Sequence, residues 1–138
     1  MAKSTRRSFI AAAAAFGATP VWALSSASAS RHSWAERRDL YPEGVASGDP
    51  DPTSVILWTR RQFDGITTRA TLHVEVAEDA SLNHIVAAAE AGVFAESDWT
   101  CRVLVGGLKP DTVYWYRFTD NEGGGSRFGR TRALRRAA

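Results

Sequence analysis

A single cysteine, Cys101, stands in this chain of 138 residues. One thiol closes no intrachain disulfide, so the fold must rest on packing and hydrogen bonds. Histidine is scarce as well. His32, His73 and His84 lie at no ligand spacing from one another, from the cysteine or from a paired carboxylate, so the sequence offers no metal centre of its own. No serine occupies a Gly-x-Ser-x-Gly elbow, which removes the usual hydrolase nucleophile. The run Gly123-Gly124-Gly125 is followed by no lysine and does not link a strand to a helix, so it is no phosphate loop. No apolar stretch reaches the roughly 20 residues that a bilayer-spanning helix needs, so a permanent membrane anchor is not expected.

Charge is missing from a different place. Eight of the seventeen basic residues lie either in the first seven positions or after Glu122, and all fifteen acids lie between. The body is therefore mildly acidic with a basic tail, and it lacks the basic patch of a nucleic-acid-binding domain. The length leaves room for one domain of about 100 residues, enough for a single sandwich-sized core.

What is present starts with an address. Lys3, Arg6 and Arg7 make a charged beginning, an alanine-rich apolar stretch follows, and Ala27-Ser28-Ala29 forms an A-x-A site that places cleavage before Ser30. Arg6-Arg7-Ser8-Phe9-Ile10 matches the twin-arginine pattern, with an ordinary secretion signal as the alternative. Residues 1–29 are thus expected to be a cleavable signal segment recognised by the twin-arginine export machinery. The product would be periplasmic or extracellular. Residues 30–42 read as a linker arm, 43–132 as the folded domain and 133–138 as a basic tail.

Within the body, Gly48-Asp49-Pro50-Asp51-Pro52 is a tight turn, in which each proline fixes φ and the aspartates cap amides. The residues before it, 43–47, form a short edge strand. Val55-Ile56-Leu57-Trp58 then reads as a buried strand. Residues 69–78 alternate, with Leu72, Val74 and Val76 inward and Thr71, His73 and Glu75 on a wet face. Residues 84–92 favour helix by alanine content but are short and flanked by strands, so a strand is expected. Trp99, Cys101, Val103 and Val105 share one face of the next strand, which makes Cys101 a core residue rather than a reactive thiol. In Leu108-Lys109-Pro110-Asp111-Thr112-Val113-Tyr114-Trp115-Tyr116, the proline bends the chain, Leu108 plugs the core and the Tyr114 hydroxyl pins the corner to the backbone. A glycine hairpin and a last strand at 126–131 follow. Six to seven short strands predict an all-β, fibronectin type III or immunoglobulin-like β-sandwich.

Two further features have competing readings. Asp49 and Asp51 could open a calcium loop, but the other oxygen ligands are lacking, so turn capping is the better account. Trp58, Trp99 and Trp115 are large anchors. Trp115, opposite in direction to Tyr114 and Tyr116, either packs in the core or leaves an aromatic surface on which another domain docks.

Taken together, Gly44 to Pro50, Val55 to Arg60 and Leu108 to Phe118, in this order and behind this leader, resemble the N-terminal domain of the alkaline phosphatase D family. Gly48, Asp49, Pro50, Trp58, Leu108, Pro110, Tyr114 and Tyr116 carry the resemblance. It implies a sandwich that precedes a metallophosphatase domain, which binds calcium and iron and hydrolyses phosphoric esters. No catalytic or metal residue of that domain maps onto this chain. The resemblance thus implies an exported, non-catalytic sandwich whose partner is the metallophosphatase domain of a parent protein. The alternative is a stand-alone secreted sandwich that binds an envelope glycan or protein.

Overall fold

A computed structural model of the chain describes residues 6–15, 17–23, 29–30 and 34–137. Among the described residues one helix, α1 (Arg6–Ala15), is followed by ten strands: β1 (Thr19–Trp22), β2 (Ala35–Glu36), β3 (Val45–Gly48), β4 (Val55–Arg60), β5 (Arg69–Ala77), β6 (Ile85–Phe94), β7 (Thr100–Gly106), β8 (Val113–Thr119), β9 (Gly124–Gly125) and β10 (Gly129–Arg132). They form two sheets. The smaller has the order β1-β7-β4-β3, and the larger has β2-β9-β8-β5-β6 with β10 also on β8. All seven strands expected from the sequence are present as β3 to β8 and β10, and the alanine-rich segment is the strand β6. The additional strands β1, β2 and β9 are short pieces whose pairing partners are distant in sequence, and local patterning carries no signal for them.

Period-two burial builds the core. Val55, Leu57 and Thr59 of β4 face Cys101, Val103 and Val105 of the adjoining β7 on the inner side of the smaller sheet. Leu72, Val74 and Val76 of β5 and Tyr114, Tyr116 and Phe118 of β8 close the core from the larger sheet. Fully buried leucines such as Leu57 and Leu72 each contribute roughly 2 kcal/mol by removing apolar surface from water. Thr59 is the polar exception, and its hydroxyl donates to the Gly44 carbonyl at 2.8 Å.

Trp99 joins the same core, yet its backbone is left-handed, with φ 61°, directly after Asp98 at φ 57°. The kink turns the chain out of a short 3₁₀ turn into β7, and the Trp99 amide is satisfied by the Phe94 carbonyl at 2.9 Å.

Three expectations change. The face of β5 opposite the core is not wet, because Glu75 is buried against Arg117. The 30–42 arm is not loose over its described part: Ala35 and Glu36 pair with Gly124 and Gly125, and Tyr41 lies in the main core. The end of the chain does not leave the body at residue 133. Ala133 is fully buried and donates to Thr112, while Leu134 donates to Asp51. In each case a long-range contact overrides a locally polar or irregular sequence.

Candidate functional site

The residues singled out by sequence gather mainly at one pole of the sandwich. Between β3 and β4 the chain reverses through Gly48-Asp49-Pro50, with Asp49 at φ 45°. Asp51 caps the turn by accepting the Thr53 amide on Oδ1 at 3.1 Å. The corner before β8 lies alongside, because the Leu108 amide donates to the Thr53 carbonyl at 3.0 Å. Leu108 is buried, and the Lys109 amide donates to the Tyr114 hydroxyl at 2.8 Å. The Thr112 hydroxyl closes the bend by donating to the Pro110 carbonyl at 2.9 Å. Burial raises the Tyr114 hydroxyl above the usual phenol range, so it stays protonated at neutral pH. Leu134 completes the pole: its amide donates to Asp51 and its carbonyl accepts from Asp111.

Trp58 lies on the outer side of the smaller sheet, half-buried, and shares a shallow cleft of about 290 Å³ with Gly48, Asp49, Ile56 and Arg102. Trp115 points away from the core on the opposite side of the molecule, half-buried, between Ala77 of β5 and Arg130 of β10. Its neighbours Tyr114 and Tyr116 face inward. The structure thus groups Gly48, Asp49, Pro50, Leu108, Pro110 and Tyr114 at one pole and sets Trp115 apart on the larger sheet.

Two buried ion pairs escaped the sequence reading. Arg61 donates to Asp120 Oδ2 from Nε at 3.1 Å and from a terminal nitrogen at 2.9 Å, and its guanidinium lies 3.9 Å from the centre of the Phe63 ring. The other carboxylate oxygen of Asp120 accepts the amides of Glu122 and Gly124 at 2.8 and 2.9 Å. Asp120 thereby ties the glycine hairpin to the end of β4. Arg117 donates to Glu75 Oε1 at 3.0 Å and to the Ser30 hydroxyl at 2.7 Å, and the Trp34 ring covers it at 4.2 Å. Desolvation lowers the Arg117 pKa and Glu75 opposes that shift. The only sequence clue to this pair is an outward-facing charge of each sign on two strands whose pairing was not known in advance.

The chemically versatile side chains are otherwise engaged. Cys101 is buried, which pushes its thiol up to about 12. His73 Nε2 meets Asn121 at 2.7 Å, and His84 Nδ1 lies 3.7 Å from Asp79. Among the described residues no three His, Cys, Asp or Glu side chains come together as metal ligands. Arg6 and Arg7 open α1 and Phe9 is buried beneath it, Ala29 is exposed, and Ala27 lies outside the described residues.

A family model described as the N-terminal domain of PhoD-like phosphatases matches residues 25–135, the whole of the sandwich from β2 to β10. The chain belongs to this family. Alkaline phosphatase D of Bacillus subtilis strain 168 is 38% identical over 81 residues, covering 54% of this chain and 14% of that protein. A solved structure of PhoD superposes with a TM-score of 0.66 at 33% identity, over 70% of this chain and 19% of that one. The sensor domain of the anti-sigma factor RsgI4 in Pseudobacteroides cellulosolvens shares the fold alone, with a TM-score of 0.54 at 16% identity over 67% of this chain and 94% of its own. The chain matches less than a fifth of the length of either phosphatase relative. No described helix is long and apolar enough to cross a membrane.

Proposed function

We propose that this chain provides the non-catalytic N-terminal sandwich of an exported PhoD-like phosphoric-ester hydrolase, whose metal chemistry belongs to a separate domain. The observation that carries this reading is the extent of the family match. It covers the sandwich, while the two phosphatase relatives are several times longer than the region they share with it. The side chains support the same view. Asp120 holds Arg61 and two backbone amides, Glu75 holds Arg117, Cys101 is sealed in the core, His73 lies between Asn121 and Glu90, and His84 lies beside Asp79. These are the contacts of a scaffold.

In this reading, residues 1–29 are a twin-arginine leader that directs the protein to the periplasm or the exterior. Arg6, Arg7 and Phe9 are its recognition residues, and Ala27 and Ala29 frame its cleavage site. The catalytic domain, with its calcium and iron, is the sandwich's partner. Trp115, facing outward on the larger sheet, offers that domain an aromatic contact. The direct test is an assay of the purified chain with a chromogenic phosphate ester, with and without calcium and iron. No turnover above buffer is expected, and metal-dependent turnover that survives repurification would refute the proposal.

A further inference from the structure

The leader is built into the sheet. Thr19, Pro20, Val21 and Trp22 of β1 run parallel to Val103, Leu104, Val105 and Gly106 of β7, and the Ala23 amide donates to the Gly106 carbonyl at 2.8 Å. This is strand addition to an open sheet edge. Val21 turns inward and becomes part of the main core, 4% exposed. On the outward side, Phe9 and Ala13 of α1 and the following Ala18 enclose Leu104, with Ile56 and Trp22 at the margin. The Phe9 and Trp22 rings meet edge to face at 5.1 Å.

Two glycines shape the seat. A Cβ on Gly106 would come within 2.5 Å of the Phe9 ring, and one on Gly107 within 2.9 Å of the Trp22 ring. The occupant, in contrast, is lightly held. β1 has four residues, one of them a proline with no amide to donate, and α1 has ten residues, too few to be stable alone in water. Much of what α1 buries is alanine.

We infer that the leader is an internal ligand of the sandwich. Residues 8–15 and 17–23 are seated by strand addition at β7 and by Phe9 over Gly106, and they must leave that seat before another molecule can read Phe9. Phe9 is 7% exposed while seated. The consequence for export rests on the proposed signal role of Arg6, Arg7 and Phe9: the folded sandwich holds back part of its own address. A vacated seat leaves the β7 edge unpaired and uncovers Leu104 and Ile56.

The test uses the full chain and no export machinery, so its failure leaves the export reading untouched, and an export defect leaves this inference untouched. Chymotrypsin cleavage after Trp22 is followed by mass spectrometry and compared with a synthetic peptide of residues 1–29. The intact chain is expected to be cut far more slowly than the peptide. Gly106→Val, which drives a side chain into the Phe9 ring, should raise the rate by about tenfold or more, because cutting tracks the released population. In a Phe9→Ala background the same substitution should add little, since the ring it displaces is gone. Cys101 labelling reports whether each variant keeps its core, and Gly106→Ala serves as the milder variant. Cutting of the intact chain at the peptide's rate would overturn the inference. So would equal acceleration by Gly106→Val in both backgrounds.

Discussion

Glu75 and Arg117 face each other directly across β5 and β8, 3.0 Å apart, with 5% and 3% of their side chains exposed on the side of the sheet away from the core. The Ser30 hydroxyl bridges them, donating to Glu75 at 2.8 Å and accepting from Arg117 at 2.7 Å. Two charges this deep have been stripped of water, so each depends on the other. Glu75→Gln should destabilise the protein by about 3 kcal/mol, because it leaves the guanidinium buried without a counter-charge. Urea unfolding at neutral pH measures this. The double variant Glu75→Met with Arg117→Met should cost clearly less than the single one. A single-variant loss below about 1 kcal/mol would mean that water reaches the pair.

Tyr114 makes a more local prediction. Tyr114→Phe keeps the ring in the core but leaves the Lys109 amide without its 2.8 Å partner. A loss of about 1–2 kcal/mol is expected. Tyr114→Leu should cost more, since the ring packing goes as well. If Tyr114→Phe unfolds at the parent's urea concentration, water has replaced the phenol and the corner is held by Pro110 and Leu108.

Asp64 sets an acid limb. The amides of Thr67 and Ile66, at 2.6 and 3.0 Å, hold its carboxyl below the ordinary 3.8. A folded-state pKa below the unfolded one means that the contribution is complete above about pH 5 and fades as pH falls through 3.8 towards the folded value. Asp64→Asn should therefore unfold at lower urea than the parent at pH 7, with the gap narrowing as pH falls below 3.8. A gap that does not change with pH would refute the assignment.

Cys101 predicts chemical silence. With its thiol pushed from 9.0 up to about 12, it carries about a thousandfold less thiolate at pH 8 than a free thiol. Labelling by a thiol reagent should be undetectable in the folded protein within minutes and complete in denaturant. Rapid labelling of the folded protein would show that β7 opens readily.

Much of this architecture can be read along the chain. Leu72-Val74-Val76 and Cys101-Val103-Val105 announce their strands because a half-buried strand repeats every two residues, and the prolines and aspartates from Gly48 to Pro52 have few conformations other than a turn. What fails to show is whatever depends on a partner far away in sequence. Glu75 looks like a solvated residue until Arg117, Ser30 and Trp34 close over it. Ala35 and Glu36 have no strand pattern and become a strand only because Gly124 and Gly125 lie alongside. Composition gives the expectation of a signal over residues 1–29, but no periodicity reveals that Val21 joins the core beside β7. At the candidate site, the turn and the corner were visible as separate motifs. Their meeting through Thr53 and Leu108 was not, since 54 residues of chain lie between the two.

The fastening of Leu134 has a mechanical consequence. Its amide and carbonyl are held by Asp51 and Asp111, and the neighbouring Ala133 amide by Thr112. A pull applied at the C-terminal end is therefore taken up first by the turn between β3 and β4 and the corner before β8, and only then by β10. Those two bends share the load through the bond from Leu108 to Thr53. A segment that follows Leu134 therefore starts from a braced anchor rather than a swivel.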